Sequence, residues 1–289
     1  MSYPSPQLIV QERCATGEGP LWNPFDRRLY WVDIPRGRLY SYDPVGGTHE
    51  LCLEGPPIGG FTIQADGALL LFGARGSVRR YQDGHESTMI EELPAERATR
   101  FNDVIADPRG RVFCGTMPGP DHPARLYRLE LDGSATLVLD NLGQSNGMGF
   151  TPDGAAFYFT DTRAGTITRF RYNSADGALS DPAVFARIAE DDAPPDGLAV
   201  DAEGRVWSAR YGGGCLVGYD PSGREVERIA LPTSRVTSAG FGGADGRDLY
   251  ITTAGGEETS PAEDPGAGGL FRTRLPVAGR PEFRSRVGL

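Results

Sequence analysis

The chain has 289 residues, 39% of them hydrophobic, with 40 glycines, 23 prolines and a formal net charge of −10. The negative charge argues against nucleic acid and anionic membrane surfaces as partners. The glycine and proline content is too high for a helical protein and suits many short strands joined by turns. The length allows two ordinary domains or one large all-β or α/β domain.

Three further features narrow the chemistry and the compartment. The sequence contains no lysine, which excludes Schiff-base catalysis through a side-chain amine. Its first residues lack the basic and apolar regions of a signal peptide, and no apolar run approaches the roughly 20 residues of a membrane span. The cysteines are scattered without a Cys-x-x-Cys pair: Cys14, Cys52, Cys114 and Cys215. We therefore expect a cytoplasmic protein with reduced thiols.

One unit recurs six times along the chain. Each unit has a turn, an aromatic-bearing strand, a second turn and a second strand. In chain order, the strand pairs are predicted at 26–33 and 37–44, 66–72 and 76–81, 110–115 and 124–129, 153–160 and 165–170, 204–209 and 215–220, and 247–253 and 268–272. The spacing of about 40 to 50 residues is typical of four-stranded propeller blades.

Further strands flank these pairs. Short apolar segments precede them, as expected for strands crowded around a central axis: 61–65, 104–107, 147–151, 198–201 and 239–242. More polar segments follow, such as 136–139 and 226–231, and suit an outer edge. The sixth unit is short of one strand, and the N-terminal run 7–11 is predicted to close the ring beside it.

These patterns predict a single all-β domain over residues 1–289. Its architecture is a six-bladed β-propeller with four antiparallel strands in each blade. A pair of β-sandwiches is the rival fold, but sandwiches do not produce such even repetition.

Polar residues recur where the innermost strands begin. Aligning the units gives Glu18, Gly59-Gly60, Asn102, Asn146, Asp196 and Ser238. In a propeller these ends face the same mouth of the axial channel, so two carboxylates and two carboxamides meet there. Asn-Gly and Asp-Gly alone are common turn dipeptides, but their shared register favours a site. Oxygen ligands carrying two negative charges suit Ca²⁺, Mg²⁺ or Mn²⁺.

Seven segments carry a family resemblance that covers nearly the whole chain in order. They are Gly17-Glu18-Gly19-Pro20-Leu21-Trp22, Arg100-Phe101-Asn102-Asp103, Gly115-Thr116-Met117, Ser145-Asn146-Gly147, Pro195-Asp196-Gly197, 237–243 and 267–271. The set resembles the signature blocks of the senescence-marker-protein (regucalcin)/gluconolactonase family of sugar lactonases.

The resemblance implies a six-bladed propeller that hydrolyses sugar lactones with one divalent cation near its axis. It implies that Glu18, Asn146 and Asp196 bind the cation and that Asp196 is also the catalytic base. It further implies that Arg100 and Asn102 contact the substrate. Ca²⁺ is the cation that we expect first, with Zn²⁺, Mn²⁺ and Mg²⁺ as alternatives.

The loop after Met117 departs from the family's pattern. The run Pro118–Ala124 is short and proline-rich, and it lacks the glycine often found before the following strand. We expect this loop over the channel mouth, with Asp121 and His122 as further substrate contacts. The departure affects the identity of the substrate rather than the chemistry.

Together these features predict a metal-dependent hydrolase that opens a sugar-acid lactone to the aldonic acid. The expected partner is this small molecule, and the protein is expected to be a monomer or a weak homo-oligomer. One alternative is an esterase or phosphotriesterase using the same site. The other is a calcium-binding or partner-binding propeller without turnover. Asp196 and Arg100 favour an enzyme, because a purely structural ion would not need that arginine.

A serine-hydrolase motif is also present in the sequence. Gly143-Gln144-Ser145-Asn146-Gly147 matches the G-x-S-x-G nucleophile elbow. That elbow joins a strand to a helix, whereas a strand is predicted to follow here. We therefore disfavour a serine nucleophile.

Overall fold

The protein folds as a six-bladed β-propeller. The computed structural model describes residues 3–256 and 263–289. Those residues form six antiparallel sheets of four strands each, with one short 3₁₀ turn at Pro94–Glu96. Within the same ranges the cysteines are all free, and no helix is long and apolar enough to cross a membrane. The predicted fold is confirmed.

In blades I to III the four strands follow one another in chain order from the innermost to the outermost position. Blade I contains β2 (Gly17–Asn23), β3 (Arg28–Asp33), β4 (Arg38–Asp43) and β5 (Thr48–Glu54). Blade II contains β6 (Ile58–Ile63), β7 (Leu69–Gly73), β8 (Val78–Gln82) and β9 (His85–Ile90). Blade III contains β10 (Phe101–Ala106), β11 (Val112–Thr116), β12 (Ala124–Leu129) and β13 (Ala135–Leu142).

Blades IV to VI complete the ring. Blade IV contains β14 (Ser145–Phe150), β15 (Ala156–Asp161), β16 (Thr166–Tyr172) and β17 (Leu179–Arg187). Blade V contains β18 (Pro195–Val200), β19 (Val206–Arg210), β20 (Cys215–Tyr219) and β21 (Glu225–Ala230). Blade VI contains β22 (Val236–Gly242), β23 (Asp248–Thr253), β24 (Leu270–Arg274) and the first strand of the chain, β1 (Gln7–Val10).

The N-terminal strand closes the ring, as predicted. β1 pairs antiparallel with β24, with Leu8 opposite Phe271 and Val10 opposite Leu270. The pairing covers a strand edge that would otherwise be open in blade VI.

The core lies between neighbouring blades. The second strand of each blade is covered on both faces, so β7, β11 and β19 are buried along their whole length. Aromatic side chains from these strands pack between blades, as where the rings of Phe113 and Phe157 lie 4.8 Å apart. The outermost strands β5 and β17 are mainly exposed, which explains their polar sequences.

The innermost strands differ from the prediction at their mouth ends. They begin at Ile58, Phe101, Ser145, Pro195 and Val236, two or three residues before the predicted starts. Every innermost strand also has a pairing irregularity near this end, for example between Phe101 and Val104 and between Pro195 and Leu198. An extra residue in one strand re-aims the neighbouring side chains. The irregularities therefore lie where the candidate site residues stand.

The C-terminal segment after β24 crosses the opposite end of the propeller. Its backbone donates hydrogen bonds from Arg280 to Val200 in blade V and from Ser285 to Ile63 in blade II, at 3.1 and 2.9 Å. Glu282 and Phe283 line a narrow cavity of about 90 Å³ that the innermost strands surround. The segment thus joins distant blades and covers the axial channel.

Candidate active site

A cavity of about 340 Å³ lies at the mouth of the axial channel. Glu18, Asn102, Asn146 and Asp196 reach it from the innermost strands of blades I, III, IV and V, and each is at most 8% exposed. The other described lining residues are Thr16, Ile34, Arg100, Met117, Gln144, Thr162, Pro194 and Tyr211. The volume is at the lower end of the range for small-molecule sites, which is about 300–1,000 Å³. Residues distant in sequence therefore converge as the aligned repeats predicted.

Arg100, Asn102 and Asn146 form a continuous hydrogen-bonded chain. One Arg100 nitrogen donates to Asn102 Oδ1 at 2.7 Å and to the Phe101 carbonyl at 2.9 Å. Asn102 Nδ2 donates to Asn146 Oδ1 at 3.0 Å and to the Ser145 carbonyl at 2.9 Å. Both amide protons of Asn102 are engaged within the protein, so Asn102 aligns its two neighbours.

Thr162 continues this chain to blade V. Its hydroxyl accepts a hydrogen bond from Asn146 Nδ2 at 2.8 Å and donates to the Pro195 carbonyl at 2.7 Å. The hydroxyl thereby fixes the carboxamide of Asn146 and the backbone next to Asp196. Sequence analysis missed Thr162 because it follows the second strand of blade IV, where no repeat position marks it.

Three carboxyl groups crowd the channel. Burial raises the pKa of Glu18 well above its ordinary value, and the charges of Asp103 and Asp196 raise it further. Burial and the charge of Asp103 likewise raise the pKa of Asp196. Burial raises the pKa of Asp103 itself to about 6, and its side chain has no hydrogen-bond partner among the described residues. Asp103 lies in a family-like segment of the sequence, but no role was predicted for it.

Arg100 is the cation beside these carboxyl groups. Burial lowers the pKa of its guanidinium, while the charges of Glu18, Asp103 and Asp196 raise it. The single positive charge of Arg100 does not neutralise the buried carboxylates of Glu18 and Asp196 together with the half-buried one of Asp103. Full ionisation of all three without a further positive charge is therefore unfavourable.

The donor set fits a hard divalent cation. Glu18, Asn146 and Asp196 offer carboxylate and carboxamide oxygens, which are the ligands that Ca²⁺ and Mg²⁺ prefer. Among the described residues, no group of three His, Cys, Asp or Glu side chains is placed to hold a metal. The fit therefore depends on Asn146 beside the two carboxylates and on the excess of negative over positive charge in the channel.

Two glycines next to the site residues are required by close packing. A Cβ on Gly147 would lie 2.5 Å from the Leu198 backbone nitrogen, and one on Gly197 would lie 2.2 Å from Ser238 Oγ. Asn146-Gly147 and Asp196-Gly197 are therefore strand segments where blades approach the axis closely, and they are not turns. Ser238 lies against Gly197 in the narrower axial cavity.

Asp121 and His122 lie outside the described lining of the mouth cavity. The 118–123 loop folds back on itself through a hydrogen bond from Gly119 N to the His122 carbonyl at 3.0 Å. His122 Nε2 consequently lies 3.9 Å from the buried carboxylate of Glu96, and Asp121 is exposed. Their role as substrate contacts stays a prediction that this geometry does not support.

The elbow-like motif has the structure expected from the prediction. Ser145 begins β14, so a strand follows the serine, and its hydroxyl is buried without a hydrogen-bond partner. No histidine is among the described residues that line the cavity.

Comparison with protein families gives one match that covers most of the chain. The model of the SMP-30/gluconolactonase/LRE-like region matches residues 16–255. The chain belongs to this family. Its predicted family membership is thus confirmed.

Individual family members match over nearly the full length. The pentonolactonase XacC of Haloferax volcanii is 50% identical to this chain, over 97% of this chain and 98% of its own length. The regucalcin of Danio rerio is 33% identical, over 98% of this chain and 99% of its own length.

Solved structures agree with the fold. The regucalcin of Agrobacterium tumefaciens, described as a calcium-binding protein, superposes with a TM-score of 0.88 at 22% identity, covering 99% of this chain and 98% of that one. A gluconolactonase from Xanthomonas campestris superposes with a TM-score of 0.76 at 26% identity, covering 93% and 89%.

Proposed function

We propose that this protein is a cation-dependent sugar lactonase that hydrolyses a sugar-acid lactone to the aldonic acid. The observation that carries the proposal is the convergence of Glu18, Asn146 and Asp196 with Arg100 in one small buried cavity. The pentonolactonase and gluconolactonase relatives support the substrate class, and the calcium-binding relative supports Ca²⁺ as the first cation to test.

Glu18, Asn146 and Asp196 would hold the cation. When bound, it supplies Lewis-acid chemistry, which polarises a carbonyl and lowers the pKa of water. The Asp196 carboxylate accepts the proton of the water that attacks the lactone carbonyl carbon. Arg100 donates hydrogen bonds to the lactone oxygen on which negative charge develops during this attack. The ring C–O bond then breaks, its oxygen takes up a proton, and the acid loses one at neutral pH.

The test is proton release from a panel of freshly prepared glucono-, galactono-, xylono- and arabinonolactones. Protein stripped with a chelator is assayed alone and after reloading with Ca²⁺, Mg²⁺, Mn²⁺ or Zn²⁺. We expect hydrolysis above the spontaneous rate only with a cation. If folded protein that binds metal accelerates none of these lactones, the proposal is wrong, and aryl esters and phosphotriesters become the next substrates to assay.

Two substitutions test the predicted roles. Because Asp196 is also a predicted cation ligand, Asp196→Asn is assayed at saturating cation, where kcat should fall by about 10²–10⁴-fold, the range for loss of a general base. Glu18→Gln should weaken cation affinity, measured by calorimetry, because a charged ligand becomes neutral. The matched controls are Asp191→Asn and Glu91→Gln, at exposed positions outside the cavity. Wild-type activity in Asp196→Asn would refute the assignment of the base.

A further inference from the structure

The wall of the mouth cavity contains two neutral polar side chains that the proposed reaction does not use. Gln144 precedes the first strand of blade IV, and Tyr211 follows the second strand of blade V; both line the cavity. Neither the Gln144 amide nor the Tyr211 hydroxyl has a hydrogen-bond partner among the described residues. They differ in this from Asn102 and Asn146, whose amide groups are engaged within the site.

The backbone of Gln144 is held rigidly. The backbone N–H groups of Gln144 and Gly143 donate to the Asp161 carboxylate at 3.0 and 2.8 Å. The backbone carbonyl of Gln144 accepts a hydrogen bond from Thr162 N at 3.1 Å. The side-chain carboxamide extends from this fixed backbone and offers one acceptor and two donors to a ligand in the cavity. This combination suits the recognition of neighbouring hydroxyl groups, each of which both donates and accepts.

Tyr211 supplies an aromatic surface on the wall of blade V. Its side chain is 41% exposed, although its backbone donates to the Pro194 carbonyl at 3.1 Å and forms a bridge with Arg235. The preceding residue, Arg210, is fully buried and donates to Ser208 Oγ at 2.7 Å, which anchors this part of the chain. A tyrosine presents an apolar ring face and a polar tip, and it is the sole aromatic residue among the described cavity lining.

We propose that Gln144 and Tyr211 form a subsite for the polyhydroxylated part of the lactone and thereby determine which sugar lactone is preferred. The Tyr211 ring packs on the C–H face of the sugar, while the Gln144 amide and the Tyr211 hydroxyl read its hydroxyl groups. Both residues are neutral, as is the lactone, so recognition here adds no charge to the crowded carboxyl groups below. This inference rests on the proposed lactonase function.

The test compares kcat and KM for the same four lactones with the cation-loaded wild-type protein and with Gln144→Met, Tyr211→Ala and Tyr211→Phe. Gln144→Met keeps the side-chain length but removes the amide. We expect KM to rise by about tenfold for the lactone that the wild type prefers, the upper range for one neutral hydrogen bond, with kcat within about twofold. The preference between glucono- and galactonolactone should shrink by about threefold or more. Tyr211→Phe should retain the part of the affinity that the ring provides.

Gln7→Ala, on the exposed part of β1, is the control and should leave KM and preference unchanged. Equal losses for all four lactones, unchanged KM, or a loss confined to kcat would each overturn the subsite. A wild-type protein that hydrolyses no lactone with any cation overturns both the proposed function and this inference. An active wild type with unchanged variants overturns the inference alone.

Discussion

A single hydroxyl joins two blades at the residue scale. Thr162 contacts Asn146 and the Pro195 carbonyl at the same time, so it links the carboxamide of blade IV to the residue before Asp196. Groups that orient metal ligands typically change metal affinity by about 10- to 100-fold when they are removed. We therefore predict that Thr162 is a positioning residue for the proposed cation site.

We expect Thr162→Val to weaken cation binding by about tenfold, because valine keeps the shape but loses both hydrogen bonds. Isothermal titration calorimetry of chelator-stripped protein measures this affinity directly. Thr162→Ser retains the hydroxyl and should remain close to the wild type. Equal affinity in the valine variant would mean that Asn146 needs no such support.

At the scale of the element, the loop before β18 is fastened to blade V by arginines. Asp192 lies 2.7 Å from Arg228 and 3.8 Å from the fully buried Arg210. Hydrogen bonds from Arg228 lower the pKa of Asp192 below its ordinary value. These contacts hold the chain just before Asp196 against its own blade.

The lowered pKa of Asp192 predicts a contribution to acid stability. Because the folded-state pKa is below the unfolded one, the ion pairs stabilise the fold above about pH 4, and this part is lost as the pH falls through the folded pKa. Asp192→Asn should therefore lower the free energy of unfolding by about 1 kcal/mol at pH 7, as a partly exposed ion pair does. Denaturant unfolding at pH 7 and over a series of lower pH values measures the difference, which should shrink as the pH falls through the folded-state pKa.

The neighbouring Asp191 provides the control for this prediction. It is exposed and forms no ion pair with the described residues, so Asp191→Asn should leave stability across the same pH series almost unchanged. A loss in Asp192→Asn that persisted at low pH would assign the effect to packing rather than to charge.

On the scale of the whole molecule, the N-terminal and C-terminal segments both connect parts of the ring. The N-terminal strand completes blade VI, and the C-terminal segment joins blades V, II and III at the closed end of the axis. Phe283 packs against Phe150 of blade IV, with ring centroids 5.7 Å apart, and lies 4.3 Å below the Arg280 guanidinium. One aromatic residue of the C-terminal segment therefore contributes to the core around blade IV.

Phe283→Ala should lower the free energy of unfolding by about 1–3 kcal/mol, less than a fully buried phenylalanine because the ring is only partly covered. Thermal unfolding should show this as a lower Tm, with kcat preserved because the proposed active site lies at the other end of the channel. Val45→Ala, at a residue that is 91% exposed, is the control. An unchanged Tm would show that the segment covers the channel without stabilising it.

The sequence by itself determined the architecture, because propeller repeats are local. Turn residues and apolar strands recur in each unit. The N-terminal run 7–11 belongs to no unit of its own, which predicted that β1 completes blade VI and closes the ring. The sequence also determined that Glu18, Asn102, Asn146 and Asp196 would meet, because a shared register places equivalent strand ends at one mouth. The family resemblance added roles for these residues, and those roles are predictions for the experiments above.

Tertiary structure decided what depends on contacts between blades. The Thr162 link and the Asp103 carboxyl without a hydrogen-bond partner arise where separate repeats meet, so no pattern within one repeat reveals them. The 118–123 loop shows the same limit. The sequence predicts Asp121 and His122 over the mouth. A hydrogen bond across the loop folds it back on itself, and neither residue is among the described lining of the cavity, so their role as substrate contacts stays a prediction. The conformation of a short loop depends on individual contacts of this kind, whereas strands follow a periodicity that can be read from the sequence.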